Sequence, residues 1–535
     1  MIMKLQPLSK TKKFKSNFLS EDKSNIKVLL DKIYEIYSVI NTKNATLARY
    51  PIKRFKYKDE INTKFFTDNG CSRKQFIREI QKIFDGVINW YSPYTTFNIT
   101  TTPLLDTVAT NTITNLLNPN CLWDFSSGKF VLIEKNIIRL LGKTVFNSNS
   151  SDGLSTFGGK GTLFYAIKTG LSNCDIDHKK NGLNNKYVVI CSYVSHFCLA
   201  DVCDYVGIGT NNLIRIPLQP NREMDYDALE KTLEKSVQEG KKIAAIICNG
   251  GITLDFCIDN AKKIRVITDK IEKKYKLPYK IHIHGDMVFG WAWRFANERY
   301  LKECNDVASK KILKIGKMLK NMTETDSIGV DFHKMGLCPH NSSFFVLKNG
   351  DHMNFLGGAV TAQDNGLWGN NHPHYNSLEN SKSGTGIISA YAALCLLGSR
   401  GIAEYLRYLM HVKETYINLI ESKFKHIFTI LNKKSLGFEI VIRVSVNGRN
   451  FTKEDYVQLC NKIWYTEAPT YIISQVLRYF CNGKPEPSLL IYSMSPHVTK
   501  NHCLKLLKML EKDCRNLATN KNKEADSINN LFVPK

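Results

Sequence analysis

Apolar residues in the first 140 positions recur every three or four residues, which predicts amphipathic helices. The two clearest stretches have apolar residues at Ile26, Leu29, Leu30, Ile33, Ile36, Tyr37 and Ile40, and at Phe76, Ile77, Ile80, Phe84 and Val87. A polar, basic stretch separates them. We therefore expect an N-terminal helical segment over residues 1–140, with its helices mostly buried.

Between residues 150 and 350 the pattern changes to short β-rich runs that alternate with amphipathic helices. The strand-like runs are 187–193, 244–248, 280–284 and 343–347. One helix is predicted to start at an N-cap Asp225 and to stop at Gly240, and a second to run from about Asp259 to Tyr275. This alternation predicts an α/β domain over residues 141–400 with a mostly parallel central sheet.

After Gly386 the sequence IISAYAALCLLG is apolar around most of a helical circumference, which predicts a helix packed on all sides. Its apolar stretch, 387–397, is shorter than the roughly 20 residues that a bilayer requires, so we expect no membrane span. The strand-like runs FEIVIRVSV and SLLIYSM follow among helical patterns. Residues 401–535 are therefore predicted to form a small α+β C-terminal domain.

Composition and charge narrow the class of protein. The fifteen cysteines are scattered singly, and the basic N-terminus lacks the apolar core of a secretory signal. We therefore expect reduced thiols and a cytoplasmic protein. The net charge of +25 would suit nucleic acid or an anionic membrane. The lysines are spread along the chain instead of forming one patch, so we expect neither partner.

A lysine at the end of a predicted strand is the first candidate for chemistry. In DSIGVDFHKMG, residues 326–336, a β-like run leads directly to Lys334. An amine fixed at a strand end is what pyridoxal 5′-phosphate (PLP) requires, because its aldehyde forms an imine with a lysine. Taken alone, a lysine after a histidine is more often a surface residue.

A second strand-like run ends in HGDMVFG, which places Asp286 at the carboxyl edge of the sheet. A carboxylate there keeps a pyridine nitrogen protonated, so that the ring can accept electrons. The same segment has the spacing His282-x-His284-x-Asp286 that zinc sites use, and these residues share one face of a strand. A zinc metallohydrolase therefore stays open as an alternative.

A glycine-rich turn and a histidine complete the candidates. GLSTFGGKG, residues 153–161, precedes a helical run, so its backbone N–H groups can hold a phosphate at the helix N-terminus. It is not a nucleotide P-loop, because Gly161 follows Lys160 where that motif has Ser or Thr. His196 follows the predicted strand 187–193, where an imidazole can stack on a cofactor ring.

Together these segments resemble the group II PLP-dependent amino-acid decarboxylases, the glutamate and aromatic decarboxylase branch of the aspartate aminotransferase fold. The resemblance runs in order from about residue 85 to 405 through SPYTTFN, NPNCLWDFSSG, STFGGKGT, SYVSH, MDYDAL, NGGIT, HIHGD, DSIGVDFHK and LENSKSG. It implies fold type I, a PLP cofactor, α-decarboxylation of an L-amino acid to an amine and CO₂, and a homodimer with sites near its interface.

The resemblance also implies a role for each matching residue. Lys334 would carry the cofactor as an imine, Asp286 would pair with the ring nitrogen, and His196 would stack on the ring. The other implied cofactor contacts are Gly158, Gly159, Lys160, Thr253, His333 and, from a segment that approaches the site in dimers, Ser381.

The sequence departs from the family at several positions. Lys160 replaces a Ser or Thr, Ile252 a threonine, Phe256 a glycine and Met287 a small residue. We expect Ile252 and Met287 to narrow the pocket. The alternatives are therefore a PLP-binding relative with a carbonyl-forming or other lyase reaction, or one without turnover.

A proton must reach Cα after CO₂ leaves, and in relatives a tyrosine on a loop after the lysine supplies or guides it. The corresponding loop here, residues 350–377, has Phe355 where relatives often have that tyrosine. Our candidate proton donors are therefore Tyr375, His372 and His374.

Overall fold

The computed structural model describes residues 23, 25–40, 47–51, 70–357, 373–481 and 484–520. Its α-helices are α1 (Ile26–Val39), α2 (Arg73–Phe84), α3 (Leu105–Leu117), α4 (Asp124–Ser127), α5 (Lys129–Phe146), α6 (Gly159–Cys174), α7 (His178–Asn181), α8 (Leu199–Tyr205), α9 (Tyr226–Gln238), α10 (Ala261–Tyr275), α11 (Trp291–Phe295), α12 (Glu298–Cys304), α13 (Val307–Met318), α14 (Phe332–Met335), α15 (Thr385–Leu419), α16 (Lys453–Trp464) and α17 (Lys500–Asn520). Its strands are β1 (Thr95–Thr96), β2 (Asp152–Thr156), β3 (Tyr187–Ser192), β4 (Leu213–Ile216), β5 (Lys242–Asn249), β6 (Ile283–Asp286), β7 (Ser327–Asp331), β8 (Ser343–Leu347), β9 (Phe428–Ile430), β10 (Ile440–Val446), β11 (Arg449–Asn450), β12 (Ile472–Cys481) and β13 (Lys484–Ile491).

Seven strands form the central sheet, in the order β2-β8-β7-β6-β5-β3-β4. Strands β3 to β7 are mutually parallel, whereas β8 runs antiparallel to both β7 and β2. Because parallel strands need crossover connections, helices cover the sheet and its middle strands are buried. Every residue of β3 is buried, and so is every residue of β6 and β7. The predicted α/β class with a mostly parallel sheet is confirmed.

Side-chain hydrogen bonds set the ends of several elements. The Asp225 carboxylate caps α9 as predicted, by accepting from the N–H groups of Asp227 and Ala228. The helix predicted from Asp259 starts two residues later at Ala261, because the buried Asp259 carboxylate instead accepts from Met224 and Asn249.

The strand predicted over residues 280–284 instead spans Ile283–Asp286. The N–H of Ile281 donates to Glu272 Oε1 and not to a neighbouring strand. The N–H of Ile283 is likewise bonded to a side chain, Asp326 Oδ2. The strand therefore begins later and extends to Asp286.

A second sheet lies towards the C-terminus, with the path β1-β12-β13-β10-β11 and with β9 paired to β10. Strand β1 comes from the N-terminal segment and pairs in parallel with β12. Helix α15 crosses position 400, where we predict a domain boundary, and contains one non-helical residue, Gly398. The division into three domains therefore stays a prediction.

Helix α15 is not packed on all sides, contrary to our prediction. It contacts α3, α5, α11 and α13, yet Tyr391 and Leu396 are 40% and 54% exposed. By length and composition the stretch Thr385–Phe424 is apolar enough to cross a membrane, and 33% of its most apolar part is buried. Helices α1 and α2 have no buried residue in this single chain, so the burial expected of the N-terminal helices stays a prediction about the dimer contact.

Candidate functional site

A cavity of 380 Å³ lies at the carboxyl ends of the parallel strands. His196, after β3, and Asp286, at the end of β6, line it together with Thr253. The opposite wall comes from β12 of the second sheet, through residues that include Gln475 and Arg478. The carboxyl edge of a parallel sheet is where α/β folds bind ligands, so this cavity is the candidate active site.

Lys334 lies one turn beyond the end of β7, in the short helix α14. Its Nζ is 2.8 Å from Oδ2 of the buried Asp331. Ser343 Oγ donates to the other oxygen of that carboxylate at 2.5 Å, and Trp291 Nε1 donates to the Asp331 carbonyl at 3.0 Å. The lysine is therefore held at a fixed place beside the sheet.

Asp286 is a buried carboxylate with little hydrogen bonding. Among the described residues, its carboxylate accepts one hydrogen bond, a long one of 3.4 Å from the N–H of Val288. Burial raises its pKa to about 6, the nearby Asp331 adds to the rise, and Lys334 opposes it. A charge buried in this way is stabilised by a cationic partner inside the cavity.

His196 is neutral at physiological pH, because burial lowers its pKa to about 4. Its Nδ1 accepts from the N–H of Cys198 at 3.2 Å, and its ring stacks on Phe197 with centroids 4.4 Å apart. Thr253 is fixed by Tyr492, whose hydroxyl donates to its carbonyl. These contacts hold both residues on the wall of the cavity.

The glycine-rich turn brings the N-terminus of α6 against the end of β7. Gly158 has φ of 126°, a conformation that favours glycine. A Cβ on Gly159 would lie 2.9 Å from Asp331 Oδ2. The unpaired N–H groups that start a helix therefore lie near Lys334, where an anion is favourably bound.

Comparison with known proteins decides the family. A family model described as the pyridoxal-dependent decarboxylase conserved domain matches residues 57–443. The chain belongs to this family. L-2,4-Diaminobutyrate decarboxylase of Acinetobacter baumannii is 30% identical over 168 residues, which are 31% of this chain and 28% of that protein. Tryptophan decarboxylase of Clostridium sporogenes is 25% identical over 280 residues, which are 52% of this chain and 59% of that protein.

Solved structures show the same fold. The glutamate decarboxylase domain of a Vibrio parahaemolyticus enzyme superimposes with a TM-score of 0.76 at 16% identity, over 96% of this chain and all of that one. The Oryza sativa TDC solved with PLP and tryptamine gives 0.75 at 12% identity, over 96% of this chain and 99% of that one. The predicted fold type I is therefore confirmed, and the family match confirms the predicted PLP cofactor.

The residues of this site fit the pyridoxal cofactor of the decarboxylase family. The weakly bonded carboxylate of Asp286 provides a partner for a protonated ring nitrogen, and Lys334 provides the amine. Gly158 and Gly159 provide a helix N-terminus for the phosphate. The Lys160 side chain pairs with Asp201 on α8 at 2.6 Å, and its predicted contact with the phosphate stays a prediction.

His333 directly precedes Lys334 in α14, and its side chain is buried. Its Nδ1 lies 3.2 Å from the carbonyl of Ser342, and its Nε2 is 3.6 Å from Asp331 Oδ2. Its ring also lies 4.6 Å from that of His340, centroid to centroid. His333 therefore lies close to Asp331, the partner of Lys334, and its predicted contact with the cofactor stays a prediction.

Sequence reasoning missed Asp331, His340 and the residues of β12. Asp331 could have been found, because it ends β7 as Asp286 ends β6. His340 and Arg478 gave no local signal: their positions depend on contacts between distant parts of the chain.

Of the two residues that we expected to narrow the pocket, Ile252 and Met287, the structure places one at the cavity. Ile252 lines the cavity. Met287 is buried in the hydrophobic core and does not line the cavity. Phe256 is also in the core, with its ring 4.3 Å from that of Trp293.

The structure does not bring Ser381 or Tyr375 into the cavity of a single chain. Ser381 is exposed. The next residue, Lys382, forms a buried ion pair with Glu134 at 2.7 Å. Tyr375 ends a short 3₁₀ helix, Pro373–Tyr375, and does not line the cavity. His372 and the side chain of His374 lie outside the described residues.

The zinc alternative has no support in the described part of the chain. His282 and His284 both bond to the hydroxyl of Ser327, each at 2.8 Å. Burial lowers the pKa of His282 to about 4 and holds the pKa of His284 well below its usual value. No group of three metal-ligating side chains occurs among these residues.

Proposed function

We propose that this protein removes the α-carboxylate of an L-amino acid as CO₂ and releases the corresponding amine. The observation that carries the proposal is the buried Asp286 carboxylate, which faces the same cavity as His196 and lies near Lys334. When bound, PLP supplies a protonated ring that accepts the electron pair left at Cα. The family assignment and the names of the relatives support this reaction.

Each residue near the cavity has a distinct task in this proposal. Asp286 holds the proton on the cofactor's ring nitrogen, because its charge is stabilised only by a cationic partner. Asp331 orients the Lys334 amine by accepting from it at 2.8 Å. His196 offers a neutral ring on the wall, so it adds no charge that competes with Asp286.

The reaction is tested by incubating the purified PLP-loaded protein with each common L-amino acid and measuring CO₂ and amine. We expect release of both with at least one amino acid, and none from a Lys334→Ala variant. A carbonyl product in place of the amine would support the alternative lyase reaction. Absence of CO₂ with every amino acid would contradict the proposed function.

We also propose that the protein acts as a homodimer. Supporting this are the exposed apolar side chains on α3 and α15, such as Leu105, Leu117 and Leu396, which are 79%, 58% and 54% exposed. Such a surface is costly in water and is typical of an interface. Ser381 is exposed in the single chain, and in this proposal it contacts the site of the second copy.

We propose a reducing, cytoplasmic location. All fourteen cysteines that the structure describes are free, and most are buried. A protein that matures in an oxidising compartment commonly uses cysteines in disulfides. Fractionation of cells that express a tagged chain checks this, and recovery in a secreted fraction would contradict it.

A further inference from the structure

Among the described residues, two arginines line the cavity, and an aspartate balances the charge of one of them. Arg222 Nη2 is 2.6 Å from Oδ2 of the buried Asp255. Tyr479 donates to the other oxygen of Asp255 at 2.9 Å, and the Arg222 guanidinium lies 5.0 Å from the centre of the Tyr479 ring. Arg222 is therefore fixed in the wall with its charge balanced.

Arg478 differs, because it forms no ion pair with the described residues. It lies on β12 at a β-bulge: Val476 pairs with Ser488 and Tyr479 with Glu486, so β12 has one extra residue between these pairs. A bulge redirects side chains that would otherwise alternate. As a result both Val476 and Arg478 line the cavity, next to Gln475 and Tyr479.

Of the charged side chains that the structure describes around the cavity, one positive charge is therefore not balanced by a negative one. Asp286 is assigned to the cofactor's ring nitrogen and His196 is neutral. Arg222 is balanced by Asp255. Among the described lining residues, the guanidinium of Arg478 is the charge that remains. A guanidinium binds a carboxylate through two parallel N–H bonds.

We propose that Arg478 binds the side-chain carboxylate of the substrate, so that the protein prefers dicarboxylic L-amino acids of the aspartate and glutamate class. This inference rests on the proposed function. An arginine paired with the α-carboxylate would stabilise the ground state more than the transition state, since that group loses its charge as CO₂ forms. The side-chain carboxylate keeps its charge throughout, so binding it does not oppose the reaction.

Gln475 adds a second contact of the same kind. Its buried Oε1 has no hydrogen-bond partner in the described part of the chain. A turn of the terminal amide exchanges this acceptor for an NH₂ donor. Arg478 and Gln475 together then offer donors from one strand to one carboxylate.

The experiment compares matched amino acids that differ in one charge. L-Glutamate and L-glutamine, and L-aspartate and L-asparagine, are titrated into the PLP-loaded protein, and the change in the cofactor's visible absorption gives a Kd for each. We expect tighter binding of the acidic member of at least one pair. Arg478→Gln should weaken binding of that acid by about 10- to 100-fold and leave its amide unchanged. Arg478→Lys should restore part of the preference.

Arg299→Gln is the matched control. The Arg299 side chain is 90% exposed and pairs with Glu303 on its own helix, so this change removes one charge from the surface. It should leave all four Kd values unchanged, which separates a local contact from the general attraction of a chain with net charge +25.

The outcomes separate this inference from the proposed reaction. Equal weakening of all four amino acids by Arg478→Gln would mean that Arg478 binds the α-carboxylate and would overturn the inference. So would tighter binding of a cationic amino acid such as L-2,4-diaminobutyrate than of the acids. CO₂ release is measured on the same samples: acid-selective binding without CO₂ would contradict the reaction and leave the role of Arg478 standing.

Discussion

Two carboxylates at neighbouring strand ends have opposite protonation behaviour. Burial raises the pKa of Asp286 to about 6. Burial acts in the same direction on Asp331, but Lys334, His333 and Ser343 outweigh it and hold its pKa below the usual value. Carboxylates whose environments push their pKa values apart commonly have different tasks. Here Asp331 positions the amine, whereas Asp286 is available to the cofactor.

Asp286→Asn should fold and bind PLP but lose about 10²- to 10³-fold in kcat, because it removes a charge aimed at the reacting system. CO₂ release under saturating amino acid measures the effect. Glu303→Gln is the control, since Glu303 is an exposed residue that pairs with Arg299 on α12. Near-normal turnover of Asp286→Asn would show that this carboxylate does not act on the cofactor.

The same residue predicts a pH dependence of stability in protein freed of cofactor. Folding raises the pKa of Asp286 from 3.8 to about 6. The favourable contribution of Asp286 to the free energy of unfolding is therefore complete below pH 3.8 and is lost as the pH rises through 6. Asp286→Asn should therefore stabilise the cofactor-free protein at pH 8, by up to about 3 kcal/mol, and have less effect at pH 4. Denaturant unfolding at both pH values measures this. An equal effect at both would contradict the assigned shift.

For helices and strands, the local sequence pattern was enough to predict most strands of the central sheet and the helix cap at Asp225. It failed where a distant contact decides the outcome. Strand β1 has two residues, and only pairing with β12 makes it a strand. The bulge that places Arg478 in the cavity depends on the register between β12 and β13. Periodicity could not show either feature, since it reports the faces of one element.

The close approach of α6 to β7 leads to a prediction at Gly159. A Cβ there would lie 2.9 Å from Asp331 Oδ2 and 3.3 Å from Val288, so Gly159→Ala should push the helix start away from the strand end. We expect PLP affinity to fall at least about 10-fold, which corresponds to 1.4 kcal/mol. Gly401→Ala is the control, because the three atoms nearest to its Cβ all belong to the side chain of Leu397 on the same helix. Equal Kd values for PLP would refute the steric argument.

For the whole molecule, the sequence predicts that the apolar part of α15 is buried on all sides. In the single chain, one face of α15 is exposed to solvent. The prediction and the structure agree if a second copy of the chain covers that face, because the pattern of apolar residues reflects burial in the complete assembly and not in one chain. The candidate residues Ser381 and Tyr375, which the single chain keeps out of the cavity, fit the same explanation. Their roles stay predictions.

Leu396→Arg should therefore convert the homodimer to monomer and reduce CO₂ release, with little change in circular dichroism. Light scattering coupled to gel filtration measures the mass. Val266→Arg is the control, since Val266 is similarly exposed, at 61%, but lies on α10. A wild-type monomer with full activity would rule out the dimer proposal.

The central claim is that Lys334 carries PLP in the cavity beside Asp286. It is tested most directly by reducing the PLP-loaded protein with borohydride, which makes the link between cofactor and lysine permanent, and by mapping the modified peptide with mass spectrometry. We expect one modified residue, Lys334, and loss of the modification in Lys334→Ala. Modification of a different lysine in the wild-type protein would contradict it.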